Sequence, residues 1–289
     1  MSATATMQPD VLPAGVDSAP SGRAATLRSF LGVMRLEWRR QLLTPRVLWP
    51  LLLACLPLAL TGAGAWMVMR FGDDAGTREG FALGYANLYH SLIVRIVIFF
   101  GTLALFLNLV RGEVEERTFH YLLLTPVRRP LLILGKYVAA VGSAWLLFLT
   151  TTIASFLIIH IPQSLGTAFT GPALRQLAAY CSMTMLGSMG YGAAFLLLGT
   201  LLRSPGPLIA LFFLWEWGEF LMPPLLKQVS VVHYIKALTP VPIEQGPFAL
   251  LADPTPVPIA VLQVLLYAAV LVTIAVWSAS RTDLDYGKG

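Results

Sequence analysis

Cysteine, histidine and charge are all scarce in this chain, and each scarcity removes a class of chemistry. Two cysteines, Cys55 and Cys181, both lie inside apolar runs, which leaves no disulfide framework and no thiolate metal spacing. They read as small buried hydrophobes. The four histidines, His90, His120, His160 and His233, are scattered, and neither a His-Glu-x-x-His nor a Gly-x-Ser-x-Gly pattern occurs. A phosphate-binding loop is missing too: Gly135-Lys136 is followed by Tyr137 and has no earlier glycine at the required spacing. The chain is therefore not expected to be an enzyme, nor to hold a metal or cofactor of its own.

What is abundant is apolar surface. Of 289 residues, 56% are hydrophobic and 12% charged, with a mean hydropathy of +0.71, which places the chain among membrane proteins. The net charge of +5 does not point to nucleic acid, because the basic residues flank apolar segments, where they anchor and orient helices.

Residues 1–26 lack the basic and apolar regions of a signal peptide and read as a flexible tail. Over 27–46 the pattern becomes helical. Leu27, Phe30, Leu31, Met34, Trp38 and Leu42 share one face beside a stripe of Arg28, Arg35 and Arg39. Such a helix either lies in the membrane interface with its arginines at the headgroups or packs on protein; Trp38 favours the interface.

The fold class expected is an all-α integral membrane protein with six transmembrane helices. The spans fall at about 47–69, 91–110 (beginning near Ser91 or earlier), 131–160, 177–202, 207–226 and 257–277, within a transmembrane domain of 47–281 and before a C-terminal tail, 282–289. The runs are continuous rather than alternating, which argues against a barrel. Lys and Arg gather before the first span, between the second and third, and after the sixth, so the positive-inside rule puts both termini and the loop between spans two and three in the cytoplasm. Between spans five and six, an external segment from Pro223 to Pro256 holds two short apolar stretches, Val229–Leu238 and Phe248–Ala252. They suit re-entrant or interfacial helices, either a lid on a pathway or a passive cap.

Small-residue runs, Thr61–Ala65 and Gly187–Ala194, predict close helix contacts, either within the chain or at a dimer seam. Ionisable residues inside spans are costly and mark candidate sites. Arg95 falls in the second span, roughly 6 Å deep, and Glu219 in the fifth, roughly 10 Å deep, so that an ion pair between them is allowed. Glu216, a turn deeper, is the less compensated carboxylate. These three, with Trp215 and Trp217, are the pathway candidates; the alternative is a structural pair, or Arg95 snorkelling outward.

The densest charge lies in the loop from Glu113 to Tyr137. Its pattern resembles the cytoplasmic segment of ABC-2 type transporter permeases: an acidic and basic run, a leucine-rich stretch, Thr-Pro-Val, a basic residue and a downstream Leu-Gly-Lys. The matching residues are Glu113, Glu115, Thr118, Leu122, Leu123, Thr125, Pro126, Val127, Arg128 and Leu134-Gly135-Lys136; Arg117, where the family has glycine, and Phe119 depart from it. The resemblance implies the transmembrane permease subunit of an ABC exporter in the cell (inner) membrane. A second permease copy and two copies of a separate ABC ATPase subunit, which would bind ATP and Mg, would complete it.

The loop would dock in the ATPase as a coupling helix through Glu113, Glu115, Glu116, Arg117, Thr118, Leu122, Leu123, Thr125, Pro126, Arg128 and Arg129. Leu122–Leu124 would be the apolar ridge and the charges would set register. Around the pathway, Phe212, Phe213, Trp215 and Trp217 suit a lipid-like or amphipathic substrate. Two other classes fit the same topology: a proton-coupled carrier using Glu216 and Glu219, and a non-transporting membrane assembly factor.

Overall fold

The structure, a computed structural model, describes residues 23–43, 47–71, 78–107, 109, 129–202, 204–241 and 255–281. Every regular element among them is helical. Helix α1 is Arg23–Leu43, α2 is Leu48–Phe71 and α3 is Arg78–Leu88. From α3 the chain runs without a break through a π-helical segment, Tyr89–Ile98, into α4, Phe99–Phe106. Then follow α5 (Arg129–His160), α6 (Gly171–Leu201), α7 (Gly206–Trp217), α8 (Pro224–Lys227), α9 (Val231–Lys236) and α10 (Val257–Arg281).

Among the described residues, five stretches are long and apolar enough to cross a bilayer: Leu48–Phe71, Ala82–Phe106, Pro130–Gln163, Gly171–Leu201 and Val257–Ser278. The chain is thus a helical multi-pass membrane protein. Five of the six expected runs match these helices, with shifted ends. The run 207–226 does not form one long helix. Its helix, α7, stops after 12 residues at Trp217, and a 3-10 turn over Gly218–Leu221 follows. Gly218 favours that stop, and Pro223-Pro224 then starts the short α8.

Helix α6 is the central post, flanked by α4, α5, α10 and the small α9. Its small residues make the notches that neighbours fill. Ile235 sits against Gly187, Val231 against Gly190, and the Phe106 ring lies where a Cβ on Gly192 would come within 2.6 Å. The Gly187–Ala194 run is therefore spent on contacts within the chain. In α2, by contrast, Gly62 and Gly64 face open space.

Near the start of α6 the packing is polar but fully paired. The Tyr89 hydroxyl bonds to the Tyr180 carbonyl and to Thr184 Oγ1, both at 2.7 Å, Thr184 meets Thr152 at 3.0 Å, and Tyr85 reaches Ser155 and the Thr152 carbonyl. Away from water, such bonds hold helices in register. At the opposite end, Lys136 is buried and its Nζ donates to the Leu109 carbonyl at 3.0 Å. Helix α1 lies along the same part of α5, with Phe30 and Val33 over Gly135 and Trp38 beside Gly142. It keeps Leu31, Leu36, Arg35 and Arg39 exposed, so α1 both packs on protein and retains an outward apolar and basic surface.

A candidate polar site in the middle of the bundle

Of the expected docking residues, Glu113, Glu115, Glu116, Arg117, Thr118, Leu122, Leu123, Thr125, Pro126 and Arg128 lie outside the described residues. Arg129 is the first residue of α5. Lys136, expected where the loop opens into the third span, lies inside α5 and donates to the Leu109 carbonyl.

Four of the five pathway candidates, Arg95, Glu216, Trp217 and Glu219, converge on one region. Helix α9 carries it: Val231, Val232 and Ile235 are buried against the glycine notches of α6, which seats this six-residue helix at mid-height of the bundle. Ser230 caps α9, accepting from the His233 N–H. Glu216 comes from the last turn of α7 and meets the same helix end. Its carboxylate accepts from the Val231 N–H (3.1 Å), the Val232 N–H (3.0 Å), the Ser230 hydroxyl (3.2 Å) and the Tyr191 hydroxyl (2.8 Å). It is 3% exposed, so the carboxylate expected to be the less compensated one is met in the interior by four donors.

Glu219, one turn on, pairs with Lys236 and lies 3.5 Å from His233 Nδ1. Burial draws the Lys236 amine below the ordinary lysine range, and Glu219 beside it opposes the drop. The ion pair considered between Arg95 and Glu219 is not formed. Arg95 Nη1 donates instead to the Trp217 carbonyl at 3.1 Å, and its guanidinium stands 5.7 Å from the centre of the Trp217 ring. Nor is Arg95 shallow. Because the second span begins at Ala82, Arg95 has about 20 Å of helix on one side and about 16 Å on the other, too deep to snorkel.

Trp215 points elsewhere. With Leu197, Leu208, Leu211, Phe212 and Leu271 it lines an apolar groove of about 360 Å³ between α6, α7 and α10. Inside, Phe212 and Phe213 close an aromatic cluster with Phe99, Phe100, Tyr191 and Phe195. This cluster fixes α7 against the second span.

The residues sequence reasoning missed are Tyr191, Ser230, His233 and Lys236. Ser230 before Val231-Val232 carried a cap signal; the pairing of Glu219 with His233 and Lys236 had none, because it depends on α9 folding back to the middle of the bundle. Among the described residues no group of three potential metal ligands occurs. Comparison with models of known protein families and with curated proteins finds no match to this chain.

Proposed function

We propose that the chain is the transmembrane permease subunit of an ATP-driven exporter, and that it carries a lipid-like or amphipathic molecule. The observation that carries this reading is the root of the Glu113–Lys136 loop. There Lys136 of α5 bonds the carbonyl of Leu109, three residues beyond the end of α4, with α1 packed alongside α5. A force applied to the loop would move the second and third spans together, which is what coupling to a separate ATPase requires. The chain brings no phosphate-binding loop of its own, so the energy would come from that partner.

The remaining parts fit this role. The fifth crossing would be made by α7 and the 3-10 turn after it, with α8 and α9 returning into the bundle before α10. Both termini and the loop lie on the cytoplasmic side, following the distribution of Lys and Arg. The groove beside Trp215 suits an acyl chain. The open faces of α2 around Gly62 and Gly64 suit a second permease copy. A proton-coupled carrier fits less well, because Glu216 is locked by four donors and Glu219 by Lys236, leaving neither free to take up and release protons.

The direct test is charge reversal in the loop. Glu113→Lys with Glu115→Lys should uncouple the partner's ATP hydrolysis from transport while the chain still inserts and folds. Transport at the unaltered rate would count against the loop as the coupling element.

A further inference from the structure

We propose that His90 and Arg95 form a subsite for an acidic headgroup, so that the molecule carried is an anionic amphiphile, a phosphate ester or a free carboxylate of the lipid class; this rests on the permease reading above. The first observation is one of register. In an α-helix residues five apart point about 140° away from each other. The segment Tyr89–Ile98 is π-helical, and its i→i+5 bonding brings His90 and Arg95 onto a common face. Short π segments are costly and recur at functional sites, and this one lies in the middle of the apolar stretch Ala82–Phe106.

The second observation is that both side chains hold buried nitrogen atoms without a hydrogen-bond partner. His90 is 8% exposed, and neither ring nitrogen has a hydrogen-bond partner. Arg95 Nε is likewise buried without one. An unmet buried polar group costs about 1–3 kcal/mol, so two residues side by side in this state call for a missing partner.

Charge then decides what that partner is. Around His90 stand Arg95, Lys236 and Glu219. Glu219 is taken by Lys236 and His233, and Glu216 by the end of α9, so neither carboxylate neutralises Arg95. The only acceptor Arg95 has found is a backbone carbonyl. A guanidinium carries donors alone, and a neutral imidazole can offer one more. An acceptor-rich anion suits both residues, whereas a cation or a lone donor leaves the Arg95 guanidinium unmet. Arg95 is half-buried, which leaves its outer side open to an arriving headgroup.

The test is equilibrium binding to the purified full chain in phosphatidylcholine nanodiscs, with radiolabelled dodecyl phosphate as probe and empty nanodiscs to subtract partitioning. Saturable binding of about one probe per chain is expected, and labelled dodecanol should show none. Arg95→Gln should weaken dodecyl phosphate binding at least tenfold. His90→Leu should do the same while leaving thermal stability equal or higher, because it removes an unmet polar group from the interior. That second variant decides the matter if Arg95→Gln fails to fold.

Inorganic phosphate separates two sources of the same chemistry: competition only at far higher concentration assigns the site to a lipid headgroup, and competition at equal concentration assigns it to free phosphate and overturns the amphiphile. Binding unchanged in His90→Leu, or no greater than in empty nanodiscs, would overturn the subsite altogether. Since no ATPase is present in this measurement, such a failure would leave the permease reading standing.

Discussion

Glu216 shows how much of this interior depends on single polar groups. Four donors converge on its carboxylate, two from the backbone of α9 and one each from Ser230 and Tyr191. Glu216→Ala would leave all four without an acceptor in a dry site, at a cost on the order of 3 kcal/mol. Glu216→Gln keeps one acceptor oxygen but turns an amide N–H₂ toward donors, so it should fall between the two. Thermal unfolding in mild detergent should rank wild type, Gln and Ala in that order; an Ala variant as stable as wild type would mean that water reaches the site. The sequence alone marked Glu216 as an intramembrane carboxylate but not as a satisfied one. Its partners lie 14 to 16 residues on in Ser230–Val232, and one in α6, and nothing in local spacing reveals such a meeting.

At the level of elements, the long helices were legible because a bilayer demands runs of about 20 apolar residues, and α2, α5, α6 and α10 supply them almost unbroken. The stop in α7 had a signal in Gly218 and Pro223-Pro224 that apolar content outweighed. The position of α9 was not legible, since its apolar residues would suit an interfacial helix equally well. What draws it inward is shape: Val231 and Ile235 fill the spaces left by Gly190 and Gly187.

The same shape argument applies to Gly192 under the Phe106 ring. Gly192→Leu should overpack this contact and cost about 1–3 kcal/mol, seen as a lower unfolding temperature. Gly64→Leu, on an open face of α2, should leave the isolated chain's stability near that of wild type. Equal effects of the two would show that α6 is not the packed centre.

For the whole molecule, the described helices form one bundle with two distinct regions: a hydroxyl-paired, aromatic region around Tyr85, Tyr89 and Tyr180, and the loop-bearing end where Lys136 joins α5 to Leu109. Between them sits the charged cluster of Arg95, Glu216, Glu219 and Lys236. On the coupling role proposed above, motion at the loop would reach the cluster through α4 and the π-helical segment continuous with it.

The central claim, that this bundle is driven by a separate ATPase docked on the Glu113–Lys136 loop, is tested most directly by purifying the tagged chain from its native membrane in mild detergent and identifying the proteins that travel with it. An ATPase subunit carrying a phosphate-binding loop should co-purify in equal number with the permease, and should be lost when Glu113 and Glu115 are replaced by lysine. A homogeneous preparation of the intact chain that carries no ATPase subunit would contradict it.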